Sequence, residues 1–507
     1  MRISFVALGL GLLGTAAFAA PQQPVGRFGP VDEAALPFSI EFREVTSPKD
    51  APPALHSFVE AVAADGTWLL LSGRGAPAAR IDDVEQSGLH GFNPPESGRH
   101  NFPLASYNTG MWTFHPTTGE VAVLDIETLP PAIRYPLRTT SQQAWYDRAS
   151  DQLTIVGGYG WNTEEKDLQT FDTMIRVEVE PLIEAIRTGQ PAGDLFEVLR
   201  HPQLQVTGGD LVQIADDAFY LVFGHTFTGS YFAFGSALPA GTTQVYTQEI
   251  RRIEMVPGRF EILSVAPLPV LDRVEYNRRD LNVRMTRDAP SGEPRVGVYG
   301  GVFKKGGPGG FDHPILVDPA SDEATIERGG SQLFNAYATP VIPVWSETAG
   351  VMAQVFFGGI GHGVHHICND PPQEIGLDND GMPFGCDVSV LTHDRQGNWR
   401  EYVLPEPVPG RQLLATNGAF LLQPALHDQG RIVDQEIIRL DRLPEGEAVL
   451  VGHVFGGILA QMPQPPKGPP PGADEGQERQ VPTSATNKLF EVYLTRTAGA
   501  AIPVLGR

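Results

Sequence analysis

The chain has 507 residues, 41% of them hydrophobic, with 56 glycines, 45 prolines and a formal net charge of −23. That acidity excludes a nucleic-acid partner, because phosphate binding needs a basic surface, and it disfavours anionic membranes for the same reason. Abundant glycine and proline suit many short strands joined by turns, and repeated β architectures run long as one domain.

Residues 1–19 read as a secretory signal. Arg2 supplies the positive start, 5–13 a short apolar run, and Ala17-Phe18-Ala19 a small-x-small cleavage site. An uncleaved anchor is the competing reading, although the apolar run is short for a span. Removal of the signal leaves no segment for membrane insertion, so the chain is expected to be exported, periplasmic or secreted. A flexible tail over 20–36 follows, and 37–507 is expected to form a single domain. Its only cysteines, Cys368 and Cys386, are most simply a disulfide in an exported chain, with free or metal-binding thiols as the alternative.

In chain order, 38–45 (FSIEFREV) alternates like a strand. The stretch 56–74, HSFVEAVAADGTWLLLSGR, then gives strand, Asp-Gly turn, strand and a closing glycine, a strong hairpin signal. Counterparts lie at 139–158, 210–225, 281–301, 337–359 and 419–453. Each leads through a polar loop into a further strand pair, as in GMWTFH and EVAVLDI at 110–115 and 120–126. The second strand of each unit is apolar almost throughout (LLL, LTIV, YLVF, VGVY, VFF, VLV), which is how a strand buried on both faces reads. Four strands repeated in series predict an all-β, six-bladed β-propeller of four-stranded antiparallel blades. A seventh blade hidden in the long sixth unit is the alternative count.

The sixth unit lacks a proper fourth strand, whereas 38–45 precedes the first hairpin as fourth strands precede the later ones. The N-terminal strand is therefore expected to be the outer strand of the sixth blade and to close the ring. A short helix is expected over 181–189 (PLIEAIRTG), and 461–480, rich in proline, glycine and charge, is expected to be a mobile loop.

The glycines closing the second strands, Gly157-Gly158, Gly300-Gly301 and Gly358-Gly359, with degenerate versions at Gly73, Gly224 and Gly452, resemble the kelch repeat. So do the third-strand pattern MWTFHPTTGEV and Trp399 at the start of a fourth strand. The resemblance is to a divergent member, since most units lack that tryptophan, and it covers nearly all of the mature chain. It implies a propeller on which these glycines are structural.

Four long loops, 74–109, 226–241, 360–385 and 454–486, fall between second and third strands and so lie on one face around a central channel, where function on a rigid frame is expected. In the loop GHGVHHICNDPPQEIGLDNDGMPFGCD, His362, His365 and His366 could ligate a transition metal, and Asp378 and Asp380 resemble part of a calcium loop. Exposed loop histidines and a plain Asn/Asp/Gly turn are the blander readings. Aligning the residue after each closing glycine gives Arg74, Tyr159, His225, Val302, Ile360 and His453. Arg74, His225 and His453 are thus candidate ligand contacts, with His225 and His453 on opposite sides of the ring, against the reading of strand-capping histidines. No nucleophile elbow, P-loop or dinucleotide fingerprint is present. The chain is therefore expected to be a binding module for a protein or carbohydrate, with no certain cofactor. The kelch resemblance also admits a sugar-directed enzyme, mutarotase-like or metal-dependent. Copper radical chemistry needs a tyrosine–cysteine crosslink, which a cysteine pair committed to each other disfavours.

Overall fold

The computed structural model describes residues 36–45, 52–75, 102, 104–230, 241–304, 309–332, 334, 337–361, 368, 382–463 and 483–497, together with the backbone of 29–30 and 505–506. The signal, most of the tail, the loop at 464–482 and the five candidate ligands His362, His365, His366, Asp378 and Asp380 lie outside the described residues.

The fold is all-β with few helices. Four-stranded antiparallel sheets follow one another along the chain. The first is built from Val59–Val62, Trp68–Leu71, Gly110–Phe114 and Val121–Asp125. The second, third and fourth begin with Gln143–Asp147, Asp210–Ala215 and Asn282–Arg287. A fifth meander, Val341–Ser346 to Trp399–Val403, lies within an eight-stranded sheet. In the sixth, Ala419–Leu422, Ala448–Phe455 and Leu489–Arg496 are joined on the outside by Phe38–Val45, which pairs from Phe38↔Arg496 to Val45↔Leu489. The expected position of the N-terminal strand is thus observed. The helix expected near 181 runs over Val179–Thr188, with Gly189 as its left-handed cap.

The opening strands of these sheets form a cycle. Val59–Val62 touches Gln143–Asp147, which touches Asp210–Ala215; contacts continue through Asn282–Arg287, Val341–Ser346 and Ala419–Leu422 back to Val59–Val62. The apolar cores follow the same cycle. One packs Leu69 and Leu71 against Leu153 and Ile155, the next Val156 and Met174 against Leu211 and Leu221, and the last Leu421 and Phe455 against Trp68 and Leu70. Second strands are buried on both faces because each is sandwiched in this way, which is why Trp68–Leu71 and Ala218–Val222 are buried at every residue. The arrangement fits a β-propeller.

The seams need glycine. At the end of the second sheet's second strand, Gly157 and Gly158 have φ of 65° and 93°, and a Cβ on Gly157 would overlap the carbonyl oxygen of Val206 in the connection to the next sheet. The same pair of left-handed residues closes each second strand, and in the sixth sheet it is Gly456 and Gly457, at 71° and 95°. The sequence-based choice of Gly452 for that unit, the counterpart of Gly73 and Gly224, is therefore corrected by five residues, to Gly457. Gly452 lies inside strand Ala448–Phe455, paired with Leu422.

Candidate functional site

The residues entering the first strands share a left-handed backbone: Ser57, Ser141, Gly208, Asp280 and Asn417 have φ between 50° and 64°. This turns their peptides around the channel. Ser57 donates to Asn417 O (2.9 Å), Ser141 to Ser57 O (3.3 Å), Gly208 to Ser141 O (3.0 Å), Asp280 to Gly208 O (2.6 Å) and Asn417 to Ala338 O (2.8 Å). The resulting collar of peptides borders two cavities, since all five residues line both.

The smaller cavity, about 90 Å³, lies on the side of the connections between sheets and the second-to-third-strand connections. Arg74 and His225, two of the candidates, both line it. Arg74 is 1% exposed, donates from Nε to Ser106 Oγ at 3.0 Å, and lies 4.2 Å from the centre of the Phe102 ring. Desolvation, opposed by Tyr107 and Tyr159, pulls its pKa down to about 10, so its surroundings as a whole disfavour the cation.

His225 is buried between two donors. Gln244 Nε2 is 2.8 Å and Arg279 Nη1 3.1 Å from its Nδ1. A guanidinium only donates, so Nδ1 accepts and the proton sits on Nε2. Burial, and secondarily the Arg279 charge, hold the imidazole pKa well below its usual range, so His225 is neutral. Arg279 also faces the cavity, 4.7 Å from the Phe303 ring centre, with its Nε 3.4 Å from Asp280 Oδ2. Tyr337 OH donates to the same Asp280 oxygen at 3.0 Å. Rings connect the two arginines around the wall: Phe102 meets Tyr159 edge-on at 5.1 Å, Tyr159 meets Phe227 at 5.5 Å, and Phe227 meets His225 at 5.9 Å.

His453 does not join this cluster and lines neither cavity. It lies within strand Ala448–Phe455 opposite Leu421, 6% exposed, with its ring centroid 5.4 Å from that of Trp68 between the sixth and first sheets. The corrected glycine register puts Ile458 at the position expected for it, so His225 does not face His453 across the channel. The cavity-lining residue that alignment missed is Arg279. It precedes a first strand instead of following a glycine pair, so the column His56, Thr140, Thr207, Arg279 would have found it.

The larger cavity, about 300 Å³, lies on the other side of the collar and is lined by the first strands. Three carboxyls surround one guanidinium there. Arg284 is 3.9 Å from Asp210 and 3.8 Å from Glu436. Desolvation, only partly offset by Arg284, pushes Glu60 and Glu436 up to about 7 and Asp210 up to about 6. Glu436 belongs to the long connection between the first two strands of the sixth sheet, which spans this end of the channel. It meets the second sheet where Trp145 Nε1 donates to Gln435 Oε1 (3.0 Å), the fourth through Arg287 and Asp434 (2.7 Å), and the fifth where Ile437–Arg439 pairs in parallel with Val344 and Trp345.

Cys368 and Cys386 form a disulfide with Cα atoms 5.7 Å apart, as read from the sequence and consistent with an oxidising compartment. Among the described residues, no three His, Cys, Asp or Glu side chains are grouped to hold a metal ion, and no helix is long and apolar enough to cross a membrane.

No protein-family model matches the chain, and no curated protein matches it. Solved structures similar to it include one titled "Structure of YjhT", 11% identical, covering 87% of this chain and all of that one with a TM-score of 0.42. A fungal alcohol oxidase of the AA5 family, in complex with copper, is 12% identical and covers 66% of this chain and 73% of its own, with a TM-score of 0.27.

Proposed function

We propose that the chain is an exported, six-bladed kelch-like propeller that acts as a binding module through its loop-rich face, taking a protein or carbohydrate ligand at the channel mouth. The blade count is supported by the cycle of six first strands and by cores that pass from each sheet to the next and back to the first. Phe38–Val45 then closes the ring as the outer strand of the last blade.

The observation that carries the reading is the asymmetry of the channel. One end is spanned by the chain's own 423–447 connection, tied to the second, fourth and fifth sheets. The other end presents a cavity walled by buried basic and aromatic side chains, the composition of a recognition site. A thermal-shift screen of glycans and soluble proteins, followed by hydrogen exchange on each hit, tests it. Protection at 56–57, 139–141, 207–208 and 225–228 is expected, and protection confined to 423–447 would refute the reading.

A sugar-directed enzyme is the second reading. It is favoured by Glu60 and Glu436, whose pKa values near 7 suit general acid–base work and lie in the larger cavity. A reducing-sugar turnover assay on wild type and Glu436→Gln, with metal analysis of the purified protein, tests it.

A further inference from the structure

We propose that the tip of the hairpin at 432–438 is a pH-responsive flap, closed over the larger cavity in acid and released above neutral pH. The inference goes beyond the binding-module reading and does not depend on what the loop face binds.

The hairpin has one fixed side and one polar tip. Ile432–Val433 pairs antiparallel with Ile437 and Ile438, and Ile438 and Arg439 continue the fifth sheet in parallel with Val344 and Trp345. Ile437 and Ile438 are 0% exposed and Leu440 1%, packed into the cores beneath, so this side is anchored. The tip, 434–436, carries no apolar side chain, and its Asp434 and Gln435 turn the chain at φ of 49° and 68°. Polar contacts hold it. Asp434 meets Arg287, Gln435 accepts from Trp145, and Glu436 Oε1 accepts from Met285 N at 2.6 Å.

Charge decides between closed and released. Glu436 lines a cavity of about 300 Å³ that Glu60 of the first sheet and Asp210 of the third also line. Arg284 of the fourth sheet is the cation whose charge stabilises all three carboxylates. Asp434 is matched by Arg287 and adds nothing to the excess. Three ionised carboxylates against one guanidinium leave two uncompensated charges in a partly desolvated space, which protonation removes.

The remaining ionisable groups around the cavity do not reverse this. Arg148 of the second sheet lies by Tyr146 and by His427 of the connection itself. Burial keeps Tyr146 un-ionised, and burial with the Arg148 charge holds His427 below its usual range, so neither becomes charged as pH rises toward 8. Asp280, at the collar, stands 3.4 Å from Arg279. The fifth and sixth sheets present uncharged residues such as Val341, Pro343 and Phe420.

In acid the three carboxyls are neutral and the tip closes. As pH rises through 6 to 7 they ionise, and of the three only Glu436 sits on an element that can leave. Release returns it to an ordinary carboxyl near 4.5, from about 7 when closed. The difference weakens closure by up to about 300-fold above pH 7. Opening exposes Glu60 and Asp210 to solvent at the end of the channel opposite the loop face.

Hydrogen exchange on the purified protein from pH 5 to 8, corrected for the intrinsic pH dependence of amide exchange, tests the inference. Protection at 431–436 and at the Met285 amide is expected to fall by at least about tenfold relative to Trp68–Leu71, whose amides report global unfolding. Glu436→Gln keeps the shape and cannot ionise, so it should hold the tip's protection level across the range. Gln435→Ala cuts the Trp145 contact and should lower protection by the same factor at every pH. If Glu436→Gln fails to fold, Glu60→Gln removes one wall charge and should shrink the pH-dependent fall. Protection at 431–436 that does not change with pH, that falls only in step with Trp68–Leu71, or that falls as steeply in the glutamine variants overturns the inference.

Discussion

Glutamine at position 60 should make the protein more stable at pH 8 and leave it unchanged at pH 4. Glu60 is half-buried beside the larger cavity, and desolvation raises its carboxyl from 4.5 to about 7. The folded state therefore keeps a proton that the unfolded chain releases. Stability from this group is intact below about pH 4.5 and is lost as pH rises toward 7. A shift of about 2.5 units at about 1.4 kcal/mol each gives a ceiling near 3.4 kcal/mol. Asp210 and Arg284 share the same field, so about 1–3 kcal/mol is expected at pH 8. Glutamine keeps the shape and cannot ionise. Unfolding entropy of roughly 2 cal/mol/K per residue over some 470 residues makes this about 1–3 °C in Tm. Urea unfolding of wild type and Glu60→Gln at half-unit steps from pH 4 to 8 measures it. A variant less stable than wild type at pH 8, or a gain equal at every pH, would show that Glu60 is not held as an under-compensated acid.

His453 should act with the opposite sign. Burial depresses its pKa from 6.5 to about 4, so its contribution is full above pH 6.5 and lost as pH falls toward 4, by up to about 3 kcal/mol. His453→Leu should flatten that acid limb in the same titration without changing ligand affinity. Gly157→Ala should destabilise by about 2–4 kcal/mol, because the new methyl meets Val206 O at a backbone φ of 65°; calorimetry reads it, and a loss below about 1 kcal/mol would mean the seam relaxes freely. Cys368→Ser should lower stability by about 3 kcal/mol, the loop-closure value for an 18-residue separation, with the difference from wild type vanishing in reductant. Deletion through Val45 should lower the melting temperature of all sheets together, and a near-parental melt would contradict closure by this strand.

The architecture was legible because it is repeated and local. Runs such as LTIV and YLVF announce strands buried on both faces, and the Asp-Gly turn at 65–66 announces a hairpin, each from a few adjacent residues. The sixth unit misled because VLVGHVFGG contains two glycine signals, and only the left-handed angles of Gly456 and Gly457 distinguish the seam from a strand-interior glycine. Of the site, Arg74 and His225 could be found from repeat alignment since they follow those glycines. Arg279 follows no glycine pair and is reached only through the column of residues that precede the first strands, while its contacts with His225 and Phe303 appear only in the fold. The Glu60–Asp210–Glu436 cluster was equally hidden. Its carboxyls come from two sheets and a connection with no repeat partner, and their proximity exists only after the ring of sheets forms.

The pairing of Phe38–Val45 with Leu489–Arg496 joins segments about 450 residues apart. A chain made from its N-terminus must carry the first strand unpaired until nearly everything else has emerged. Sheets built from neighbouring segments can form early, whereas the last cannot, so assembly ends on one slow, long-range step. Until then the strand Leu489–Arg496 pairs with or the strand itself is an open edge, available to another copy of the chain. Shortened products lacking the C-terminal strand should therefore be held by chaperones or proteases in the compartment where they fold, and premature truncation should yield aggregates in place of smaller folded rings.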